Sequence, residues 1–166
     1  MVRRTILVAL GANLPDPAGR SALDTCRWAA EQLGHLPGLR LDAVSRWFRT
    51  APVPASDQPD FINGVAMLAG KAEPEALLAC LHAIEARAGR VRSVANAARV
   101  LDVDLLAIDG LVRPGPAPVL PHPRLAERAF VLYPLCDVAP DWRHPVLGET
   151  ALALREKVDA RGVTPA

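Results

Sequence analysis

The stretch Gly89-Arg-Val-Arg-Ser-Val-Ala-Asn-Ala-Ala-Arg-Val-Leu-Asp-Val-Asp-Leu-Leu-Ala-Ile108 joins an arginine-containing loop to an apolar segment that two aspartates interrupt. The apolar segment, Leu101–Ile108, is typical of a buried strand. Side chains alternate along a strand, so Asp102 and Asp104 are expected to project from the same face. Burying two adjacent carboxylates costs on the order of several kcal/mol unless a positive charge lies between them. The strand therefore predicts a cation-binding site.

Three arginines, Arg90, Arg92 and Arg99, lie just before that strand, and no acidic residue occurs between Gly89 and Leu101. Hard divalent cations prefer carboxylate oxygens, and arginine binds phosphate through paired N–H groups. The intervening residues are small, so we expect the loop to be mobile when empty and to close over a bound polyphosphate. Together the acids and the arginines predict a metal–polyphosphate site. Two simpler interpretations are a solvated basic loop and a carboxylate pair neutralised by the arginines alone.

The chain has 166 residues, of which 51% are hydrophobic. That length suits one domain, and we expect residues 1–166 to form a single domain. The formal net charge is +1, from 19 basic and 18 acidic residues, which argues against a general binder of nucleic acid or membrane surfaces. Three well-separated cysteines without metal-ligand spacing, and no run of about 18 apolar residues, predict a cytoplasmic protein without a membrane span. We expect a monomer that acts on small molecules.

Hydrophobic periodicity predicts alternating strands and helices in the first two thirds of the chain. The predicted elements are a strand at Thr5–Leu10, a helix at about 18–33, strands at Leu39–Phe48 and Phe61–Leu68, a helix at Pro74–Ala88 and a strand at Leu101–Ile108. This βαββαβ order predicts an α+β fold, the ferredoxin-like sandwich with an antiparallel sheet. The expected C-terminal additions are a short helix near 124–129, a strand beginning at Phe130 and a helix near 150–157.

Phe61 and Phe130 are two of the few aromatic residues, which make up 4% of the chain. Aromatic side chains are usually core residues. Two rings and the nearby Asn63 amide are also suited to enclose a flat heterocycle and to bind its polar edge. The sequence leaves both interpretations open.

Three further residues have polar side chains for which a ligand contact competes with a plain structural role. His122 lies between two prolines and suits either a rigid turn or a ligand contact. His82 and Glu85 are three residues apart in a predicted helix, so both can share one face, where solvation is the simpler interpretation.

Seven short motifs occur in order along the chain. They are Arg49-Thr-Ala-Pro, Asp57-Gln-Pro-Asp-Phe-Ile-Asn63, Ile84-Glu, Gly89-Arg-Val-Arg92, Arg99-Val-Leu-Asp-Val-Asp104, Leu120-Pro-His122 and Glu127-Arg-Ala-Phe-Val-Leu-Tyr-Pro-Leu135. Together they resemble the 6-hydroxymethyl-7,8-dihydropterin pyrophosphokinase family of the folate pathway, over residues 4–145. The second and fifth motifs are the most specific.

The resemblance implies transfer of the β,γ-pyrophosphoryl group of ATP to the pterin hydroxymethyl group, with release of AMP, on a ferredoxin-like fold with two magnesium ions. It implies that Asp102 and Asp104 are the metal ligands, and that the catalytic set also includes Arg90, Arg92 and Arg99, which bind the triphosphate. The implied ATP-binding residues are His82, Glu85, Arg90, Arg92, Arg99, Leu105, His122 and Arg128. The implied pterin-binding residues are Thr50, Ala51, Val53, Phe61, Asn63, Asp102 and Phe130.

The sequence departs from the family pattern in two places. Many members have Arg-Trp-Gly-Pro-Arg before the Asp pair, whereas this chain has the shorter Ala95-Asn-Ala-Ala-Arg99 and lacks the Trp. Pro123 stands where an aromatic residue is frequent, and Ala117 and Val119 lack the polar groups found at those positions elsewhere. These differences bear on loop closure and on adenine contacts.

Two other functions are compatible with this fold class. A non-catalytic domain of the RNA-recognition type would need exposed aromatic residues on its sheet and a basic surface, which the aromatic content and the near-neutral charge oppose. A two-metal nucleotidyltransferase acting on another hydroxyl would share the Asp pair. The motif around Phe61–Asn63 distinguishes the pterin enzyme from it, and no side chain is identified as a general base.

Overall fold

A six-stranded antiparallel β-sheet forms the centre of the protein, with helices on both of its faces. The computed structural model describes residues 3–52, 55–90, 99–160 and 162–166. The strands are β1 (Arg4–Ala12), β2 (Leu39–Val44), β3 (Phe48–Thr50), β4 (Phe61–Gly70), β5 (Asp102–Ile108) and β6 (Val163–Pro165). The helices are α1 (Ala22–Leu33), α2 (Pro74–Arg87), α3 (Ala129–Val138) and α4 (Ala151–Glu156), with a short 3-10 helix at Leu125–Glu127.

The strand order is β5-β1-β4-β3-β6, and β2 also pairs with β4. Every described pair of strands is antiparallel. With β2 and β3 counted as one interrupted strand, the chain order is the βαββαβ order predicted from the sequence, and the ferredoxin-like α+β fold is confirmed. Within the described ranges, no helix is both long enough and apolar enough to cross a bilayer.

The expected single strand at Leu39–Phe48 is divided into β2 and β3, and Ser45 lies in the interruption. The Ser45 side-chain hydroxyl accepts a hydrogen bond from the Val65 backbone N–H at 2.9 Å, so it replaces a backbone acceptor in the ladder. Trp47 then crosses over Gly64, where a Cβ atom would lie 2.5 Å from its ring. The break therefore depends on side-chain contacts with β4, which strand periodicity does not show.

The prediction of a strand beginning at Phe130 was wrong, because Ala129–Val138 forms helix α3. A short continuous apolar run is compatible with either a buried strand or a buried helix. Here Val131 and Leu135, four residues apart, are both buried against the sheet. This i,i+4 spacing is that of one helix face. Helix α1 also starts later than expected, at Ala22, because the Ser21 hydroxyl caps it by accepting from the Asp24 N–H at 3.1 Å.

The two faces of the sheet pack against different helices. Ile6, Val8 and Leu10 contribute to a core with α1 and α2, whereas Leu7 contributes to a core with α3, α4 and the 3-10 helix. Strand β5 divides its side chains in the same way: Val103 and Leu105 are buried in the first core. Asp102 and Asp104, which alternate with these residues, consequently face the side that α3 covers.

Candidate functional site

The two aspartates lie at the beginning of β5, beside the small residues of β1. Asp102 pairs with Gly11, and Asp104 pairs with Ala9. On the other side of β1, Gly11 pairs with Asn63 of β4. A Cβ atom at Gly11 would lie 2.9 Å from the Asn63 side-chain oxygen, so only glycine leaves this space open. The register thus places Asp102 and Asn63 on either side of Gly11, which has no side chain to fill the space between them.

Two arginines, Arg90 and Arg99, contact the carboxylate of Asp102. Arg90 Nη1 donates to its Oδ1 at 2.7 Å, and Arg99 Nη1 lies 3.1 Å from its Oδ2. Burial raises the pKa of Asp102, but the positive charges of Arg99 and Arg90 outweigh burial and hold the pKa below its ordinary value. The carboxylate is therefore ionised and bound on both oxygens.

Asp104 has a different electrostatic environment, although it is only two residues away. Burial and the neighbouring charge of Asp102 raise the pKa of Asp104 to about 7, and Arg128 opposes this shift only in part. Two carboxylates that share a site resist simultaneous ionisation unless a cation compensates them. The pair is therefore a suitable oxygen donor set for a hard divalent cation.

The described residues contain no cluster of three or more His, Cys, Asp or Glu side chains that would enclose a metal ion. Asp102 and Asp104 therefore offer two carboxylate groups and not a complete coordination shell. Small hard cations that retain several waters are commonly held by one or two carboxylates together with substrate phosphates. The donor set fits a cation that arrives with a polyphosphate ligand.

Glu85 links helix α2 to the carboxylate strand. Its side chain is 2% exposed, and its Oε2 accepts from Arg90 Nη1 at 2.6 Å and from the Val103 backbone N–H at 2.7 Å. Gly89 follows the end of the helix with φ +96°, a conformation that favours glycine, and turns the chain so that Arg90 returns to Glu85. Glu85 is therefore buried and bound to protein groups in this structure. His82 lies on the same helix and is exposed.

The predicted pterin-binding residues that the structure describes on β3 and β4 lie across β1 from the two aspartates. Thr50 pairs with Phe61, and the Asn63 side-chain nitrogen donates to the Thr50 hydroxyl at 2.8 Å. Phe61 and Asn63 are two residues apart on β4 and face the same side of the sheet. Ala51 follows Thr50 and is exposed, while Val53 lies outside the described residues.

Phe130 lies on α3, the helix that covers this face of the sheet. Its ring is half-buried, and the Arg128 guanidinium lies 5.4 Å from the ring centre. Burial and the nearby Arg124 lower the pKa of Arg128 from its ordinary value, although it remains a cation at neutral pH. The structure therefore places one predicted aromatic residue in the sheet and the other in the covering helix.

The remaining predicted ATP-binding residues differ in their positions relative to the aspartates. The His122 backbone N–H donates to the Leu106 carbonyl at 2.8 Å, which fixes it next to β5. Its Nδ1 accepts from the Arg124 N–H at 3.2 Å, and burial lowers its pKa, so the neutral ring carries its proton on Nε2. Leu105 is buried in the α1–α2 core, and Arg92 lies outside the described residues.

Comparison with known proteins gives a consistent result. A family model described as 7,8-dihydro-6-hydroxymethylpterin-pyrophosphokinase (HPPK) matches residues 7–140. The chain is 41% identical over 145 residues to the 2-amino-4-hydroxy-6-hydroxymethyldihydropteridine pyrophosphokinase of Pseudomonas aeruginosa, covering 87% of this chain and 86% of that protein. It is 38% identical over 156 residues to the protein of the same name from Methylorubrum extorquens, covering 94% of each.

Among solved structures, the chain is similar to wild-type Plasmodium falciparum HPPK-DHPS with pteroate, with a TM-score of 0.69 and 13% sequence identity. The match covers 94% of this chain but only 42% of the Plasmodium chain, so it supports the fold alone. The family model and the two bacterial relatives cover most of the sequence, including both aspartates. On this basis the chain belongs to the 7,8-dihydro-6-hydroxymethylpterin-pyrophosphokinase family.

Proposed function

We propose that the chain transfers the pyrophosphoryl group of ATP to the hydroxymethyl group of 6-hydroxymethyl-7,8-dihydropterin, releasing AMP, as a step of folate biosynthesis. The observation that carries the proposal is the convergence of Arg90 and Arg99 on Asp102, next to Asp104 and across Gly11 from Asn63. Family membership supports the same reaction. The near-neutral charge of the chain suits small-molecule substrates better than nucleic acid.

Each part of the site has a task that its chemistry suits. Arg90 and Arg99 supply guanidinium donors, which bind phosphate oxygens through charge-assisted hydrogen bonds. Asn63 supplies an amide for the polar edge of the pterin ring. Phe61 and Phe130 supply aromatic surfaces on which a flat heterocycle stacks.

We propose that Asp102 and Asp104 hold magnesium, with two ions bound when ATP is present. The donor set supports this, because both groups are half-buried carboxylates and burial with mutual repulsion disfavours a metal-free, fully ionised pair. Bound magnesium supplies neutralisation of phosphate charge and orientation of the reacting oxygens. A metal on Asp102 would compete with Arg90 and Arg99 for its oxygens, which would leave guanidinium donors for the triphosphate.

The test is whether AMP appears from ATP only when the reduced pterin is present. AMP and pterin diphosphate, separated by HPLC, are expected in equal amounts with 6-hydroxymethyl-7,8-dihydropterin. None is expected with 7,8-dihydropterin, which lacks the attacking hydroxyl. Magnesium removal by EDTA should stop the reaction, and added magnesium should restore it. Formation of ADP, or of AMP without pterin, would contradict the proposal.

A further inference from the structure

Asn13 is a buried polar residue immediately after β1, and it is 2% exposed. Its Nδ2 donates to Gln58 Oε1 at 3.0 Å and to the Pro59 carbonyl at 3.1 Å. Its Oδ1 accepts from the Arg99 backbone N–H at 2.8 Å. Both amide hydrogens and the amide oxygen are therefore in use, and this pattern fixes the orientation of the amide.

The two segments that Asn13 joins belong to opposite sides of the site. Pro59 lies two residues before Phe61, at the entrance to the pterin-side strand. Arg99 ends the arginine-containing loop, and its guanidinium reaches Asp102. Asn13 is thus bonded to residues 45, 46 and 86 positions away along the chain.

The Arg99 backbone is held on both sides of its residue. The N–H donates to Asn13 Oδ1, while the carbonyl accepts from the backbone N–H groups of Asn13 and Leu14 at 3.0 and 3.1 Å. The main chain of Arg99 is therefore fixed to the end of β1, and the side chain extends from a fixed point. No ionised group takes part in this anchor, so it does not compete for phosphate or for a cation.

We propose that Asn13 is a positioning residue for pyrophosphoryl transfer, which fixes the distance between the pterin-side segment and Arg99. This inference rests on the proposed function, because it assigns the two sides to two substrates. Transfer between two bound substrates depends on alignment to within a fraction of an ångström, and small displacements lower the rate strongly. Loss of the amide should therefore slow the chemical step while each substrate still binds to its own side.

The experiment compares Asn13→Ala with His144→Ala. His144 is also buried, and its Nδ1 accepts from the Val146 and Leu147 N–H groups, so both variants lose buried hydrogen bonds. We expect Asn13→Ala to lower the single-turnover rate at saturation by at least about 30-fold, with the separate Kd values of pterin and of a non-hydrolysable ATP analogue within about threefold of wild type. His144→Ala should keep a near-wild-type rate. The Arg99 amide proton should exchange faster only in Asn13→Ala.

The proposed function is tested first, on the wild-type chain. If that chain forms AMP and Asn13→Ala retains a single-turnover rate within about threefold, the positioning role is overturned. It is also overturned if the rate loss is matched by lost affinity for both ligands, or if His144→Ala shows the same loss. Should Asn13→Ala fail to fold, Asn13→Asp is used, because it removes the donor bonds but keeps the acceptor for Arg99. A loss below about twofold in that variant overturns the role.

Discussion

Arg90 and Arg99 both reach Asp102, but the protein holds them in different ways. Arg90 has a side chain that is 10% exposed, and its guanidinium lies between Glu85 and Asp102. Arg99 has a side chain that is 27% exposed, and its backbone is bonded to Asn13 and Leu14. One arginine is held by buried charges and the other by neutral amides.

This difference predicts that the two arginines contribute differently to the stability of the fold and to the reaction. Burial lowers the pKa of Arg90, but the charges of Glu85 and Asp102 outweigh burial and raise it, so the guanidinium is part of a buried ionic network. Breaking such a network leaves an uncompensated buried charge and destabilises the fold. If Arg99 exchanges Asp102 for a phosphate, Asp102 keeps Arg90 as a partner, so its buried charge stays compensated. We therefore expect Arg90 and Glu85 to affect folding as well as the reaction, and Arg99 to affect mainly the reaction.

The largest effect on the reaction is expected from replacing either aspartate of the site. Asp102→Ala or Asp104→Ala should lower kcat/KM by at least about 1000-fold, or about 4 kcal/mol, because each removes a proposed metal ligand. Asp42→Ala is the matched control, since Asp42 is an exposed carboxylate that pairs with Arg40 on β2. Activity within about tenfold of wild type in either site variant would contradict the metal assignment.

The second effect tests the buried charges directly. Glu85→Ala should lower the free energy of unfolding by about 3–5 kcal/mol, because it leaves the Val103 N–H without its acceptor and removes one of the two carboxylates that neutralise the buried Arg90 guanidinium. Glu85→Gln retains an oxygen acceptor and should lose less. Urea denaturation monitored by circular dichroism measures both. A loss below about 1 kcal/mol in Glu85→Ala would show that this network contributes little to stability.

Local patterns in the sequence were sufficient for one part of this network and insufficient for the rest. Alternation along residues 101–105 correctly predicted that Val103 and Leu105 face a core while both aspartates face away from it. The Glu85 acceptor for Val103 was not predicted, because the bond joins a helix to a strand across the fold. The helical periodicity placed Glu85 beside His82, but the structure buries only the glutamate.

The hydrogen bonds of the Asn13 amide to Arg99 and to the Gln58–Pro59 segment were not predicted, for the same reason. Asn13 is a polar residue in a loop after a strand, which is a common position for a turn. Its partners lie far away in sequence, so no local pattern distinguishes it from a turn residue. The interruption at Ser45 and the helical state of Phe130 likewise depend on packing against the sheet. The motif resemblance correctly predicted the family, while the individual roles of the site residues stay predictions.

Replacement of Arg99 should affect the reaction more than stability. Arg99→Ala should lower kcat by at least about 100-fold, or about 2.7 kcal/mol, with a smaller change in ATP affinity and an unfolding free energy within about 1 kcal/mol of wild type. The same kinetic result is expected for Arg92→Ala, although Arg92 lies outside the described residues. Equilibrium binding beside single-turnover rates decides the matter. If affinity falls and the saturated single-turnover rate is unchanged, these arginines bind only ground-state phosphate.

The smallest effect concerns the pterin side, which neither arginine contacts in the structure's described residues. Phe130→Ala removes a half-buried ring from α3 and should weaken pterin binding by about 5- to 10-fold, since a stacking face contributes on the order of 1 kcal/mol beyond burial. ATP-analogue affinity should change by less than about twofold, because the arginines and aspartates remain. Phe130→Leu is the control, because it keeps apolar volume in the core without an aromatic face. Calorimetric titration of each variant with each ligand, beside its melting temperature, separates the two roles of the ring. If both affinities fall together with the melting temperature, and if Phe130→Leu restores all three, Phe130 is a core residue and the stacking assignment is wrong.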